Sequence, residues 1–554
     1  MNRPTATASP DLASLLAASV AAWPERAAII ETVDSHPVVT SFAKLAAEVD
    51  RTRMRLSAHG LVRGDRLALW AENRREFLVW QFAAAAEGIN VVGINTRYRV
   101  QELAHVLEQA LPRLVVMPQQ LLALDLVGLL REACERLAAT SPRWPAPQLA
   151  VLRPSGGVAH PVDDDAVLPA YDVGAGAWWA DEPVDGVPSA LQGEAADLCM
   201  TFTTSGSTGM PKLAAHDQAA IATHAAAVAD AVDLRPGDVV CCALPLTGVF
   251  SYVPAMAAVA GGAACLMIPV FEGAGTLALM RQHRATHVFG GDDLYLGLQG
   301  AWEKNPLDLP DWRLAGIASF VGRVEQLLPW LQSCSPAAMC GVYGSSEVFS
   351  LVSIRDVDSP SHLRHVGGGS LVSEEIRVRA ADPVTGEVLP PGEVGVLQFR
   401  GYNVLQRYLR GRSEPLPPLS AEGYFDSGDL GSVDDDERSF TYEGRAGEAL
   451  RLRGFLVQPA EIELFLIGHP AVEMVKVVGA ERDGRPVAVA FVTAAAGQTV
   501  DTEELLSWCR DELAAFKVPE RVIVIDTMPF TSGTNGSKIK AAELRRQAAE
   551  LLAP

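Results

Sequence analysis

A chain of 554 residues is too long for one compact domain, so two or more domains are expected. Apolar residues make up 49% and charged residues 20%, the balance of a globular protein with ample core. Acidic side chains outnumber basic ones, 67 to 46, and the formal charge of −21 repels nucleic acid and anionic membrane surfaces, which excludes both as expected partners.

The eight cysteines form no CxxC pair and have no histidine at metal spacing, so buried reduced thiols are expected. MNRPTATASPDL lacks the apolar stretch of a signal peptide and reads as a short disordered lead. No continuous apolar run reaches the roughly 18 residues that would span a bilayer, and a cytoplasmic location follows as the expectation.

Along the chain, SFAKLAAEVDRTRMRLSAHG reads as a helix, with Phe42, Leu45, Ala46 and Val49 at helical spacing and Gly60 as its stop. RLALW (66–70), INVVGI (89–94) and RLVVM (113–117) are short apolar runs read as strands, with a helix at 101–110. This alternation predicts parallel sheet with helices on its faces. Residues 153–197, rich in Gly, Pro and clustered acids, read as a surface excursion. A helix is expected at 218–232, and strands at 239–246, 263–270, 286–290, 314–320 and 338–344. From 374 the pattern turns antiparallel. A last unit from about 444 reads helix, two strands, helix, strand, a small α+β domain. The fold class is therefore α/β: a large N-terminal domain (1–443) of parallel-rich sheets with helices plus a β region, and a small mobile C-terminal α+β domain (444–554).

TFTTSGSTGMPKLAAH (201–216) carries the first chemistry. Hydroxyls at Thr203, Thr204, Ser205, Ser207 and Thr208, two glycines (Gly206, Gly209) that let backbone N–H groups close round an anion, and the charge of Lys212 suit a phosphate. The spacing is not that of a nucleotide-hydrolase loop, because no Ser or Thr follows the lysine. Four further stretches stand in order behind it: VYGSSE (342–347), YFDSGDLG (424–431), GRAGEALRLRGFLVQPAEIE (444–463) and TNGSKIK (534–540).

In that set and order the chain resembles the acyl-adenylate-forming superfamily of acyl- and aryl-CoA ligases, peptide-synthetase adenylation domains and luciferases. The resemblance covers almost the whole chain and implies ATP, Mg²⁺ and coenzyme A as reactants and metal, with no nucleic acid and no membrane span. It implies that the 204–212 loop holds the β- and γ-phosphates, that Tyr343 and Gly344 lie at the adenine and that Ser346 contacts the α-phosphate. Glu347, with Thr208, places Mg²⁺. Asp429 takes the ribose hydroxyls, Arg445 contacts ribose or phosphate, and Gly454 completes the nucleotide set. Lys538 bridges the substrate carboxylate and the α-phosphate, and Gly447 is the hinge of the C-terminal domain. The catalytic set is thus Lys538, Glu347 and Ser346. The chain departs from the family at Leu213, where glycine is usual, at Ser346 for threonine, at ASFVGR (318–323) and at Ser537 before the terminal lysine. Every charged catalytic position is kept.

The same resemblance maps the acyl pocket onto 244–256, 289–295 and 348–351, and so onto Gly248, Phe250, Ser251, Gly290, Asp292 and Val348. The first stretch carries no charge, which favours an aromatic or medium-chain acid with only its carboxylate charged. Asp292 and Asp293 read either as a helix cap or as contacts to a polar or cationic substituent. His216 reads as a structural residue or a phosphate contact. The acyl acceptor is coenzyme A or a carrier protein; a non-catalytic nucleotide-binding protein, a luciferase-like oxygenase and a homodimer are left open.

Overall fold

The computed structural model describes residues 11–33, 36–141, 143–153, 176–204, 211–319, 324–360, 363–446, 450–452, 455–457, 459–482, 485–513, 515, 517–533 and 536–552. The expected N-terminal lead, the loop Ser205–Gly209, and Gly447 and Gly454 therefore lie outside the described residues, as do 154–175.

Helices begin where a short polar side chain can take an unsatisfied N–H. Ser41 accepts from the Lys44 N–H to open the helix Phe42–Ala58, and Asp217 accepts from the Ala220 N–H to open Gln218–Ala231. The chain leaves the first helix through Gly60 at φ 72°, a conformation that suits glycine.

The short apolar runs form strands. Arg66–Leu69, Asn90–Gly93 and Leu114–Pro118 lie parallel in an eight-stranded sheet with Gln148–Leu152 and Leu198–Thr204. Its other edge is antiparallel, through Lys212–Asp217 and Arg407–Leu409. The sheet also contains Ala177–Trp179, which corrects the reading of 153–197 as surface excursion. The reason is apolar: Trp178 is buried, stacked on His59 at 3.7 Å.

In a thirteen-stranded sheet Ala27–Val33, Ala264–Met267, Val239–Cys242, His287–Gly291, Leu314–Ala318 and Ala338–Ser345 run parallel side by side. The first of these was not expected from the sequence. Beyond Ala338–Ser345 the sheet turns antiparallel through Phe349–Ile354, Gly368–Leu371, Ser439–Arg445, Phe425–Val433, Val394–Arg400 and Arg377–Ala381, as the change of pattern from 374 implied. Trp80, Phe202 and Tyr252 are among the large side chains buried in the main core.

A smaller C-terminal domain has a core of its own, including Ile462, Leu466, Val475, Val477 and Leu505. Its three-stranded sheet joins Val472–Arg482, Arg485–Ala494 and Arg521–Val524, with helices Pro459–Ile467 and Thr502–Glu512. The hairpin Phe530–Gly533 with Gly536–Ile539 follows, and its second strand lies against His287–Gly291 and the helix Asp292–Lys304 of the large domain. Among the described residues no helix is long and apolar enough to cross a membrane.

Candidate active site

An open parallel sheet leaves its crevice at the carboxyl ends of its strands, where the connecting segments diverge. Three adjacent strands here end at one rim. His287–Gly291 leads into Asp292, Leu314–Ala318 ends beside Ser319, and Ala338–Ser345 carries Tyr343 and Gly344 and is followed by Ser346 and Glu347. A Cβ on Gly344 would meet the Phe349 carbonyl oxygen at 2.2 Å, so only glycine fits where the chain folds back.

Tyr343, Asp429 and Arg445 form one connected unit. Asp429 and Arg445 are register partners on adjacent strands, and their side chains pair at 3.0 Å. The Tyr343 hydroxyl donates to the other Asp429 oxygen at 2.5 Å. Burial, and then the Asp429 charge, push the Tyr343 hydroxyl well above its ordinary pKa, so it stays a donor. Burial is the largest influence on Arg445 and works against its charge, but Asp429, Tyr442, Tyr343 and Glu347 together hold the guanidinium above its usual value. The Tyr343 ring packs against Phe399, Phe440 and Tyr442 at 5.2–5.6 Å between centroids. Each residue of the unit is thereby oriented by its neighbours before any ligand arrives.

The strands Leu198–Thr204 and Lys212–Asp217, on either side of the candidate phosphate loop, pair antiparallel, with Thr204 directly opposite Lys212. Ser205, Gly206, Ser207, Thr208 and Gly209 lie outside the described residues. Lys212 is exposed, its ammonium 5.8 Å from the Tyr408 ring centroid. Burial and then the charge of Glu347 raise the Tyr408 hydroxyl pKa, which sets Glu347 and Lys212 about the same ring. Glu347 is half-buried and makes no ion pair among the described residues. No cluster of three or more His, Cys, Asp or Glu able to hold a metal occurs among the described residues. A single hard carboxylate with phosphate oxygens completing the shell suits Mg²⁺, which binds through few protein ligands and keeps its waters.

Gly248 precedes the helix Val249–Gly261 as its N-cap, and Phe250 and Ser251 on its first turn are buried, as is Val348. The Ser350 hydroxyl donates to the Val249 carbonyl at 2.8 Å and ties this wall to the segment after Glu347. Asn73, which the sequence did not single out, braces the wall from below. Its amide donates to the carbonyls of Cys242 and Leu244, and its oxygen accepts from the Leu246 N–H.

Gly290 is buried at the strand end, where a Cβ would meet Leu294 at 2.4 Å. Asp292 and Asp293 are not caps: the N-cap of Asp292–Lys304 is Gly291, and both aspartates sit in the first turn, where the helix dipole favours them. Asp292 is fully buried and accepts from the Ser319 hydroxyl at 3.3 Å. The backbone of Lys538, paired with Thr531, lies on the hairpin strand that approaches this same rim.

His216 lies in the strand Lys212–Asp217, with its ring turned to the segment after Tyr343. It is fully buried and donates to the Ser346 carbonyl at 2.8 Å, and burial pushes its pKa down to about 3, so the ring is neutral. That geometry makes it structural rather than a phosphate contact. His224 and Asn403 act on the same segment and carry no motif: a lone histidine in an alanine-rich helix and an asparagine in a loop look ordinary in a sequence.

Comparison with known proteins agrees with this arrangement. Residues 16–409 match the family model of AMP-binding enzymes, and 461–533 match the AMP-binding enzyme C-terminal domain. The chain belongs to the AMP-binding enzyme family. It is an AMP-forming acid–thiol ligase by class, with ATP, Mg²⁺ and coenzyme A as the class requires. Among curated relatives, the mitochondrial medium-chain acyl-CoA ligase ACSF2 of Danio rerio is 26% identical over 536 residues, covering 93% of this chain and 85% of that protein. Feruloyl-CoA synthase of an Amycolatopsis species is 28% identical over 537 residues, covering 95% of this chain and 98% of the relative. Among solved structures, ATP-bound MatB from Rhodopseudomonas palustris superposes with a TM-score of 0.79 at 24% identity, covering 98% of this chain and 100% of the other.

Proposed function

We propose that the protein, acting in the cytoplasm, activates an aromatic or medium-chain carboxylic acid with ATP, releases pyrophosphate, and transfers the acyl group from acyl-AMP to coenzyme A. The observation that carries this is the connected unit Tyr343–Asp429–Arg445 beside Ser346 and Glu347, at the rim that the Lys538 hairpin approaches. Asp429 is read as the acceptor of the two ribose hydroxyls and Arg445 as the contact to ribose or phosphate. Glu347 and Thr208 would hold Mg²⁺, which neutralises phosphate charge when bound. A carboxylate attacking the α-phosphate brings two anions together, so positive charge is needed where they meet, the role read for Lys538. Residues 1–443 form the adenylating unit in this reading, and 444–554 swing about Gly447 to bring Lys538 in and out.

The acid follows from the wall. Phe250 and Val348 are buried, and the whole stretch 244–256 is uncharged, so a substrate held there is apolar apart from its carboxylate. Relatives named for medium-chain acyl and feruloyl substrates support an aliphatic or aromatic acid. A panel of carboxylic acids with ATP and Mg²⁺, followed by pyrophosphate release with and without coenzyme A, tests the proposal. Pyrophosphate with transfer only to a carrier protein would make it a carrier loader; nucleotide binding without pyrophosphate would make it non-catalytic. In the same panel Asp292→Asn should change the ranking of acids while ATP affinity stays unchanged. An unaltered ranking would return the buried carboxylate to a structural role at the helix start.

A further inference from the structure

The segment that follows Tyr343 adopts a backbone that side chains other than glycine seldom take. Phe349 has φ 64° and Leu351 φ 58°, both in the left-handed region and both fully buried. Such residues persist only where their surroundings hold them, and they gather at working sites. Here the hold can be traced carbonyl by carbonyl. The Ser346 carbonyl accepts from His216 Nε2 at 2.8 Å, and the Glu347 carbonyl accepts from the Leu405 N–H at 2.8 Å. The Val348 carbonyl accepts from the Asn403 amide at 3.2 Å, and the Ser350 carbonyl from His224 Nε2 at 2.8 Å. Between the two imidazoles lies the Phe349 ring, stacked on His216 at 3.9 Å and on His224 at 4.8 Å.

A carbonyl only accepts, so each Nε2 carries the proton. That leaves Nδ1 of His216 as a buried lone pair with no hydrogen-bond partner among the described residues. An apolar ring would fill the same space without that cost, which points to the Nε2 donor as the reason for a histidine. The two donors span the turn that carries Ser346, Glu347 and Val348.

We propose that His216 and His224 are positioning residues for adenylation: their Nε2–H groups grip the Ser346 and Ser350 carbonyls on either side of Phe349 and hold Ser346 and Glu347 at the nucleotide. This rests on the reading of Ser346 and Glu347 as nucleotide-site residues. Neither imidazole touches substrate; both act through the backbone of the turn.

The test uses the full-length protein and needs no knowledge of the acid. ATP affinity is measured with Mg²⁺ and with EDTA for the wild type, for His216→Phe, which keeps a ring but removes the donor, and for His216→Gln, which restores an N–H. His216→Phe should lose about tenfold of the Mg²⁺-dependent gain in affinity, the worth of one hydrogen bond, and His216→Gln should recover most of it. A purely structural histidine would lower the melting temperature and leave that gain unchanged, and this result overturns the proposal. If His216→Phe does not fold, His224→Phe is read in the same way. A wild type that binds no ATP would instead overturn the nucleotide-site reading, and the clamp would fall with it.

Discussion

Asp429 is buried while the side chain of Arg445, its partner, stands half exposed. Its two oxygens are oriented by Arg445 and by the Tyr343 hydroxyl. Asp429→Asn keeps the shape but replaces a charged acceptor with an amide that must donate on one side. Charge-assisted hydrogen bonds contribute about 1.5–3 kcal/mol, so ATP affinity should weaken roughly 10- to 100-fold. Calorimetric titration of ATP decides it, and an unchanged affinity would remove Asp429 from the nucleotide site. Lys212 and Tyr343 were both apparent from the sequence, but the hydrogen bond from Tyr343 to Asp429 was not, because 86 residues separate them. Long-range pairs of this kind leave no local pattern.

At the scale of the element, the turn after Tyr343 couples stability to pH. Burial holds the pKa of His216 at about 3 and of His224 at about 4, against 6.5 for a solvated imidazole. Below pH 6.5 the unfolded chain takes up protons that the folded chain refuses. The stability these rings contribute is therefore complete above pH 6.5 and is lost as pH falls toward 4 and then 3. Each ring adds a slope of up to about 1.4 kcal/mol per pH unit in that window. Urea midpoints measured from about pH 5 to 6.5 should fall with pH, and the double variant His216→Phe/His224→Phe should flatten the slope. An unaltered slope would assign it to other imidazoles such as the buried His287 and the half-buried His365, whose pKa values burial also lowers.

The elements that could be read in the sequence are those whose signal is local. Arg66–Leu69 and Asn90–Gly93 are apolar runs between breakers, and Phe42–Ala58 has both period and cap. Others were not anticipated, three of them instructive. Ala27–Val33 begins a hairpin with His36–Ser41 that exists because it joins Ala264–Met267, more than two hundred residues on. Ala177–Trp179 lies in a stretch whose glycines and acids hide one apolar triplet. The hairpin carrying Lys538 is short and polar, and its place against His287–Gly291 is set by tertiary packing. Of the two readings of Asp292, the cap fails for a related reason: a cap and a first-turn acid differ by one position, which sequence patterns do not resolve.

At the scale of the whole molecule the C-terminal domain has a separate core, the property of a unit that folds by itself, and the proposed function has it move as a body. Gly447 lies outside the described residues; its proposed role as pivot rests on the resemblance, which puts the hinge at this position, and glycine there visits both signs of φ at little cost. Gly447→Pro fixes φ near −65°. That variant should retain pyrophosphate release from acid and ATP but lose acyl transfer to coenzyme A. Thioester formation at the wild-type rate by the folded variant would put the pivot elsewhere.

In the proposed function one rim performs adenylation, with Lys538 brought in by the smaller domain. Single-turnover kinetics of Lys538→Ala on each half-reaction tests it most directly. The variant should lose adenylation by about 10²–10³ or more, as removed transition-state donors do, while forming thioester from supplied acyl-adenylate and coenzyme A at close to the wild-type rate. Equal loss in both half-reactions, or adenylation undiminished, would contradict it.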